Sequence, residues 1–271
     1  MEKVCALTLI LCIAVSLAQN PPVPRDVLPG EYPSVVVVKT PALNRFCLGE
    51  VIDATHVLTS ALCVLNEERT RVFPARLVRV FGGDVATRQV SLTRQTRVAL
   101  HVFVHENYRS HAFENNLAVI RLAEPFHLPS NGVEAAEMRM RIVPDNHECD
   151  ALTWLRPVAG VTVTETPRLQ ALQVTIRNRD VCNTERYTEP SVREDNLCMQ
   201  ITGAGFDPIQ GDPVFCDGHL TAIHSWRWDV QVQAPQLANL VATQVRFHSH
   251  WIHHQLNRTQ PMPEGWNPME F

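Results

Sequence analysis

The sequence has no block of Lys or Arg, and its 24 basic residues are outnumbered by 28 acidic ones, giving a formal net charge of -4 and a pI near 6.3. A chain without a basic field cannot gather polyanions, so nucleic acid is not an expected partner, and nothing suits an anionic membrane surface. Low-complexity runs are absent as well. With 271 residues, 45% of them hydrophobic, the chain can bury one sizeable core, which favours a globular domain over a disordered assembly. The apolar stretch from Val4 to Val15 falls short of the roughly 20 residues that cross a bilayer. Lys3 precedes it, and Ser16, Leu17 and Ala18 follow before Gln19, the order of a secretory signal peptide over residues 1–18.

CxxC pairs are missing too, which argues against a zinc site; no cofactor is expected. Removing Cys5 and Cys12 with the signal leaves Cys47, Cys63, Cys149, Cys182, Cys198 and Cys216. Their even number and the oxidising environment of a secreted chain predict a disulfide framework with no spare thiol.

What is present reads as β structure. Short alternating or β-branched runs cover Val35 to Lys39, Cys47 to Ile52, Leu77 to Phe81, Val98 to Val104, Leu117 to Leu122, Leu169 to Ile176 and Val241 to Val245, with turn residues between them. That pattern predicts an all-β barrel or sandwich. Asp217-Gly218 between two strand-like runs signals a hairpin. From Val245 to Leu256, Phe247, Trp251 and Ile252 recur at helical spacing, which predicts one closing amphipathic helix. On it, His250 and His254 stand one turn apart beside His248 and His253, and a solvated polar face is expected there, with no metal. The tail from Asn257 to Phe271 has three prolines and no periodicity, so it is expected to be flexible. Asn257-Arg258-Thr259 is a glycosylation sequon.

Several motifs carry a family resemblance over residues 29–256. FCLGEVIDATHVLTSALCV at 46–64 resembles the strand pair and TAAHC motif of the trypsin-like (chymotrypsin-fold) serine proteases. NNLAVIRL at 115–122 is similar to the family's NDIALIRL. CDALTW at 149–154 and PVFCDGHLTAIHSW at 213–226 resemble the segments around its later cysteines. The resemblance implies two six-stranded antiparallel β-barrels with a C-terminal helix, and disulfides Cys47–Cys63, Cys149–Cys216 and Cys182–Cys198.

It also implies the positions of a catalytic triad, and there the residues depart. Leu62 stands for the histidine, Asn116 for the aspartate and, counting back from Pro213, Gln210 for the serine. No serine lies between Ser191 and Ser225, so no small shift of alignment restores a nucleophile. Leucine offers no lone pair, asparagine no charge and glutamine no useful nucleophile; losing one triad member alone costs on the order of 10⁴ to 10⁶ in rate. The oxyanion position falls on Pro208, which has no N–H to give. Arg25-Asp26-Val27-Leu28 is not the family's activation N-terminus, and the position it would pair with is Ile209. The specificity pocket is expected at Ala204, Ser225, Trp226 and Arg227, with Arg227 beside Trp228 able to plug the cleft, and Phe206 replaces a bridging cysteine. His56 and His105 are expected to be structural.

The expectation is therefore a secreted, non-catalytic protease homologue that binds secreted proteins: proteases, other protease homologues or their substrates. Homologues of this kind are common in arthropods, in immune cascades and in reproductive fluids; the ten residues from Gln19 to Leu28 hold no cysteine and cannot form a clip domain. The alternatives are a carrier of a peptide or small ligand in a remodelled cleft, and an endopeptidase with a rewired site.

Overall fold

The computed structural model describes residues 24–41, 46–85, 91–130, 132–154, 168–185, 190–202, 208–230, 237–262 and 266–267. The expected signal peptide, Ala204 and Phe206 lie outside the described residues. Alternating side chains build the first barrel. Strands β2 (Val35–Lys39), β3 (Phe46–Asp53), β4 (His56–Thr59), β5 (Arg79–Gly82), β6 (Gln95–Val104) and β7 (Ala118–Leu122) close in the order β2-β3-β4-β7-β6-β5. Along β7, Ala118, Ile120 and Leu122 fill the barrel interior while Val119 faces the other way; along β2, Val36 and Val38 point in and Val35 out. The period of two thus gives β2 and β7 apolar contacts on both faces.

The second barrel uses β8 (Glu148–Trp154), β9 (Leu169–Arg177), β10 (Asn196–Thr202), β11 (Pro213–Cys216), β12 (His219–Val230) and β13 (Leu237–Gln244), with β8 pairing both β9 and β11 to close it. A short β1 (Arg25–Asp26) adds to the edge of β9. The fold is therefore the pair of six-stranded antiparallel barrels that the resemblance implies. Val174, Ile176, Met199 and Val214 pack inside the second barrel. A separate apolar cluster joins the two: Val35, Leu48, Leu58, Phe103 and Val119 from the first meet Leu152, Trp154, Phe215 and Ile223 from the second. Burial of this kind stabilises by about 25 cal/mol per Å² of apolar surface, so the shared cluster is what makes two barrels one unit.

Three disulfides staple the loops: Cys47–Cys63, Cys149–Cys216 between β8 and β11, and Cys182–Cys198, which ties the short helix α1 (Arg179–Thr184) to β10. At the β11–β12 hairpin, Asp217 (φ 52°) and Gly218 (φ 76°) both take the left-handed region that a two-residue primed turn demands.

Two expectations are corrected. The closing helix is not continuous from Val245: residues Val245–His248 form a 3₁₀ turn, and α2 spans Ser249–Leu256. A 3₁₀ turn advances three residues per turn, which shifts the phase, so Phe247 is exposed under the Arg246 guanidinium while Ile252 and Gln255 face inward. The tail, expected to be loose, lies in its described part against the first barrel, where Met262 and Trp266 find apolar partners that no local pattern announces. Among the described residues no helix is long and apolar enough to cross a membrane.

His105, at the end of β6, is buried between His248 (ring centroids 5.4 Å apart) and Trp251 (4.7 Å). Its Nδ1 accepts from the Asn107 N–H, and burial followed by the His248 charge depresses its pKa to about 4, against opposing pulls from Glu106 and Asp195. The unfolded chain takes up a proton near 6.5 that the native state refuses, so stability present above that pH is lost as pH falls towards 4. Denaturant titrations between pH 7 and pH 4 are expected to show a loss of up to about 3 kcal/mol from this group, and His105→Gln to flatten that part of the profile.

Candidate functional site

The site begins where β4 ends. Ser60 keeps extended backbone and its hydroxyl accepts from the Leu62 N–H at 3.2 Å, capping the 3₁₀ turn Ala61–Cys63. The Cys63 disulfide clips that turn to β3. Asn116, just before β7, is fully buried beneath it. Its Oδ1 accepts from Ser60 Oγ (2.9 Å) and from the Leu62 N–H (3.3 Å), and its Nδ2 donates to Ser225 Oγ on β12 (2.8 Å). Ser60, Leu62, Asn116 and Ser225 thus form one network spanning both barrels. The Leu62 side chain is half-buried and packs on the first barrel's core.

Gln210 comes from the loop that precedes β11. Ile209 donates its N–H to Asp212 Oδ2 (2.7 Å), and its carbonyl accepts from the Asp212 N–H (3.2 Å) and from His224 Nδ1 (2.9 Å). The Gly211 N–H bonds the His224 carbonyl and the His224 N–H bonds the Asp212 carbonyl, so the loop is held to β12 by backbone rungs. At Gly211 (φ +88°) a Cβ would lie 2.4 Å from the Leu48 carbonyl and 2.8 Å from Thr59 Oγ1, which explains the glycine. The Gln210 carbonyl oxygen rests 3.1 Å from the Cys63 sulfur, a contact without a proton because that sulfur is in a disulfide.

These elements enclose a cleft of 470 Å³ lined by Leu62, Pro208, Gln210, Trp226 and Arg227, among others. Of the residues expected at the triad positions, Leu62 and Gln210 line this cleft with Pro208, Trp226 and Arg227, the last exposed at its wall, while Asn116, bonded to the Leu62 N–H and to Ser225, is buried with Ser225 outside the lining. A ladder of rings leads away from it: Arg69 over Phe113 (5.4 Å), Phe113 stacked on Trp226 (6.3 Å), and Trp226 on Trp228 (5.4 Å). Arg69 (φ 59°) and Phe113 (φ 54°) both hold left-handed backbone, strain that clusters at functional surfaces. His56 is buried and bonded to Asp53 at 2.9 Å, away from the cleft lining, and His250 and His254 are both exposed.

Motif reading missed the acids under the loop. Glu50 on β3 is fully buried; Ser34 Oγ donates to its Oε2 (2.7 Å), and its Oε1 has no partner among the described residues. Burial, reinforced by the buried Asp212 carboxylate and opposed by the Ser34 bond, raises its pKa to about 8. The only sequence signal was an acid inside the apolar run CLGEVI, and it named no partner. The native state holds a proton that the unfolded chain releases near 4.5, so stability is lost as pH rises from there through about 8. Glu50→Gln, which needs no proton, is expected to unfold at a higher temperature than the parent at pH 8 to 9, by an amount on the order of 3 kcal/mol, and to match it near pH 4.5. A parallel pair of melting curves across that range checks this.

Comparisons with known proteins agree with the geometry. The family profile described as Trypsin matches residues 25–252. Coagulation factor XII of Rattus norvegicus is 27% identical over 211 residues, covering 72% of this chain and 33% of that protein. Transmembrane protease serine 11G of the same organism is 23% identical over 226 residues, 79% of this chain and 50% of that protein. Trypsin-10 of Gadus morhua is 26% identical over 185 residues, 67% of this chain and 70% of that protein. The chain spans between a third and a half of the length of the first two. With 25–252 matched and both barrels in place, the chain belongs to the trypsin family of serine protease domains.

Proposed function

We propose that this member of the trypsin family does not cut peptide bonds but acts outside the cell as a binding protein, a cofactor or regulator of other secreted proteins. The observation that carries the reading is the network under Leu62. Acyl transfer needs a nucleophile, a base that takes its proton and an acid that orients the base. Among the described residues the Asn116 side chain bonds two hydroxyls and one backbone N–H, and the side chain above it, Leu62, is aliphatic. Gln210 supplies an amide where a nucleophile is needed and Pro208 has no N–H to give, so the residues at these positions offer no group to attack a carbonyl and one fewer donor for an oxyanion.

The scaffold meanwhile keeps what binding requires: a cleft with rigid walls, an aromatic ladder beside it and three disulfides suited to an oxidising compartment. Asn257 is exposed at the end of α2, in keeping with a glycan at its sequon. The partners that suit this surface are proteases, other protease homologues or their substrates. A carrier of a peptide or small ligand is a second reading, favoured by the 470 Å³ left open in the cleft.

The purified protein is expected to resist labelling by a fluorophosphonate probe and to leave peptide esters intact; stoichiometric labelling would sink the proposal. A protein captured by the parent from its native fluid should be lost with Trp228→Ala, which removes the outer rung of the ladder by about 1–3 kcal/mol. Bare protein carrying a small bound molecule would turn the assignment to the carrier.

A further inference from the structure

After α2 the chain turns back across the first barrel. The Arg258 carbonyl accepts from Arg121 Nη1 of β7 at 2.7 Å, and the Arg258 guanidinium bonds Glu106 (3.0 Å) and lies over the Phe103 ring (5.1 Å). Glu106 is also bonded by Trp251 Nε1 (2.6 Å), so one carboxylate holds both α2 and the segment that follows. Farther on, Pro261, Met262 and Trp266 border a groove of 290 Å³ whose opposite wall includes Val72, Phe73, Ala75 and Leu100.

That wall is organised by its own bonds. The Phe73 N–H reaches the Val64 carbonyl, Leu77 and Val78 bond back to Pro74 and Ala75, and β6 lies paired between β5 and β7. Leu100 on this wall stays 48% exposed. The segment supplies what such a groove takes: a polar anchor at Arg258, then apolar side chains spaced by prolines, which lower the entropy lost on docking. Trp266 reaches the first barrel's core cluster and Met262 the cluster between the barrels.

We propose that the groove between residues 71–75 and β6 is a docking site for an extended, proline-spaced peptide anchored by Met and Trp, and that residues 257–262 and 266–267 of this chain cover it in cis. The strap is then an intramolecular ligand that shields an apolar face, and the face is competent for the same peptide in trans.

The test uses the full chain with Met262→Ala and Trp266→Ala together, read by hydrogen exchange. Amides of residues 72–78 and 257–262 are expected to exchange at least tenfold faster, the ratio given by about 1.4 kcal/mol of lost docking free energy. A synthetic peptide of residues 257–267 at about 1 mM, the effective concentration of a short tether, should restore protection at 72–78. Trp266→Ala alone, the milder change, must move the same amides in the same direction, which keeps the test open should the double variant not fold. Unchanged exchange, or fast exchange that the peptide does not slow, overturns the proposal. A parent protein that is dimeric in solution, with the dimer abolished by the double variant, would place the strap on a second copy and overturn it as well.

Discussion

At Gly211 the loop of the second barrel comes so near the first that one methyl group would lie 2.4 Å from the Leu48 carbonyl. The cleft depends on this approach. Its depth is set by backbone, through the rungs from Gly211 and Asp212 to His224, and its side by the disulfide that holds Cys63 next to the Gln210 carbonyl. None of these contacts uses the side chains of Leu62 or Gln210. A geometry held by main chain and sulfur leaves those two side chains open to change without loss of the fold, which separates the stability of the site from its chemistry.

The residues at these positions also fit one another electrostatically. A carboxylate at position 116, fully buried with no imidazole above it, would be a buried charge with no counter-charge, which costs several kcal/mol. The amide avoids that cost and still satisfies the frame, accepting from Ser60 and Leu62 and donating to Ser225. Leu62 and Asn116 are therefore physically consistent as a pair. A few residues away the opposite solution is used: the Glu50 carboxyl, buried in reach of the Asp212 charge, keeps its proton. Both arrangements hold the net charge under the cleft low.

Much of this fold was legible in the sequence because period-two runs report burial directly, as in β2 and β7, and because Asp217-Gly218 demands a primed turn. Flanking motifs, rather than their own chemistry, drew attention to Leu62, Asn116 and Gln210, of which Leu62 and Gln210 line one cleft and Asn116 bonds the Leu62 N–H. Three things were not. The run from Val245 carries a helical period, but three- and four-residue turns share its first few positions, so the 3₁₀ start was hidden. Glu50 sits in an apolar run, and a run shows that a residue is buried without naming what faces it. The strap is held by Arg121, Glu106 and Phe103, all more than a hundred residues away in sequence, so no local pattern could place it.

The stretch from Leu65 to Ala75 connects the two surfaces. Leu65, Asn66, Glu67 and Arg69 line the cleft, while Arg71, Val72, Phe73 and Ala75 line the groove that receives the strap. Asn66 Oδ1 accepts from the Thr70 and Arg71 N–H groups, and Leu65 bridges Val72, so this excursion is a closed loop with one face to each site. Arg69 at its tip takes left-handed backbone and lies on the Phe113 ring, whose neighbour is Trp226. A ligand seated in the cleft and the strap at the groove would therefore press on opposite sides of the same eleven residues, 65–75. Energetic coupling between distant surfaces requires a contiguous element that both can bias, and the 65–75 loop is a contiguous element that lines both.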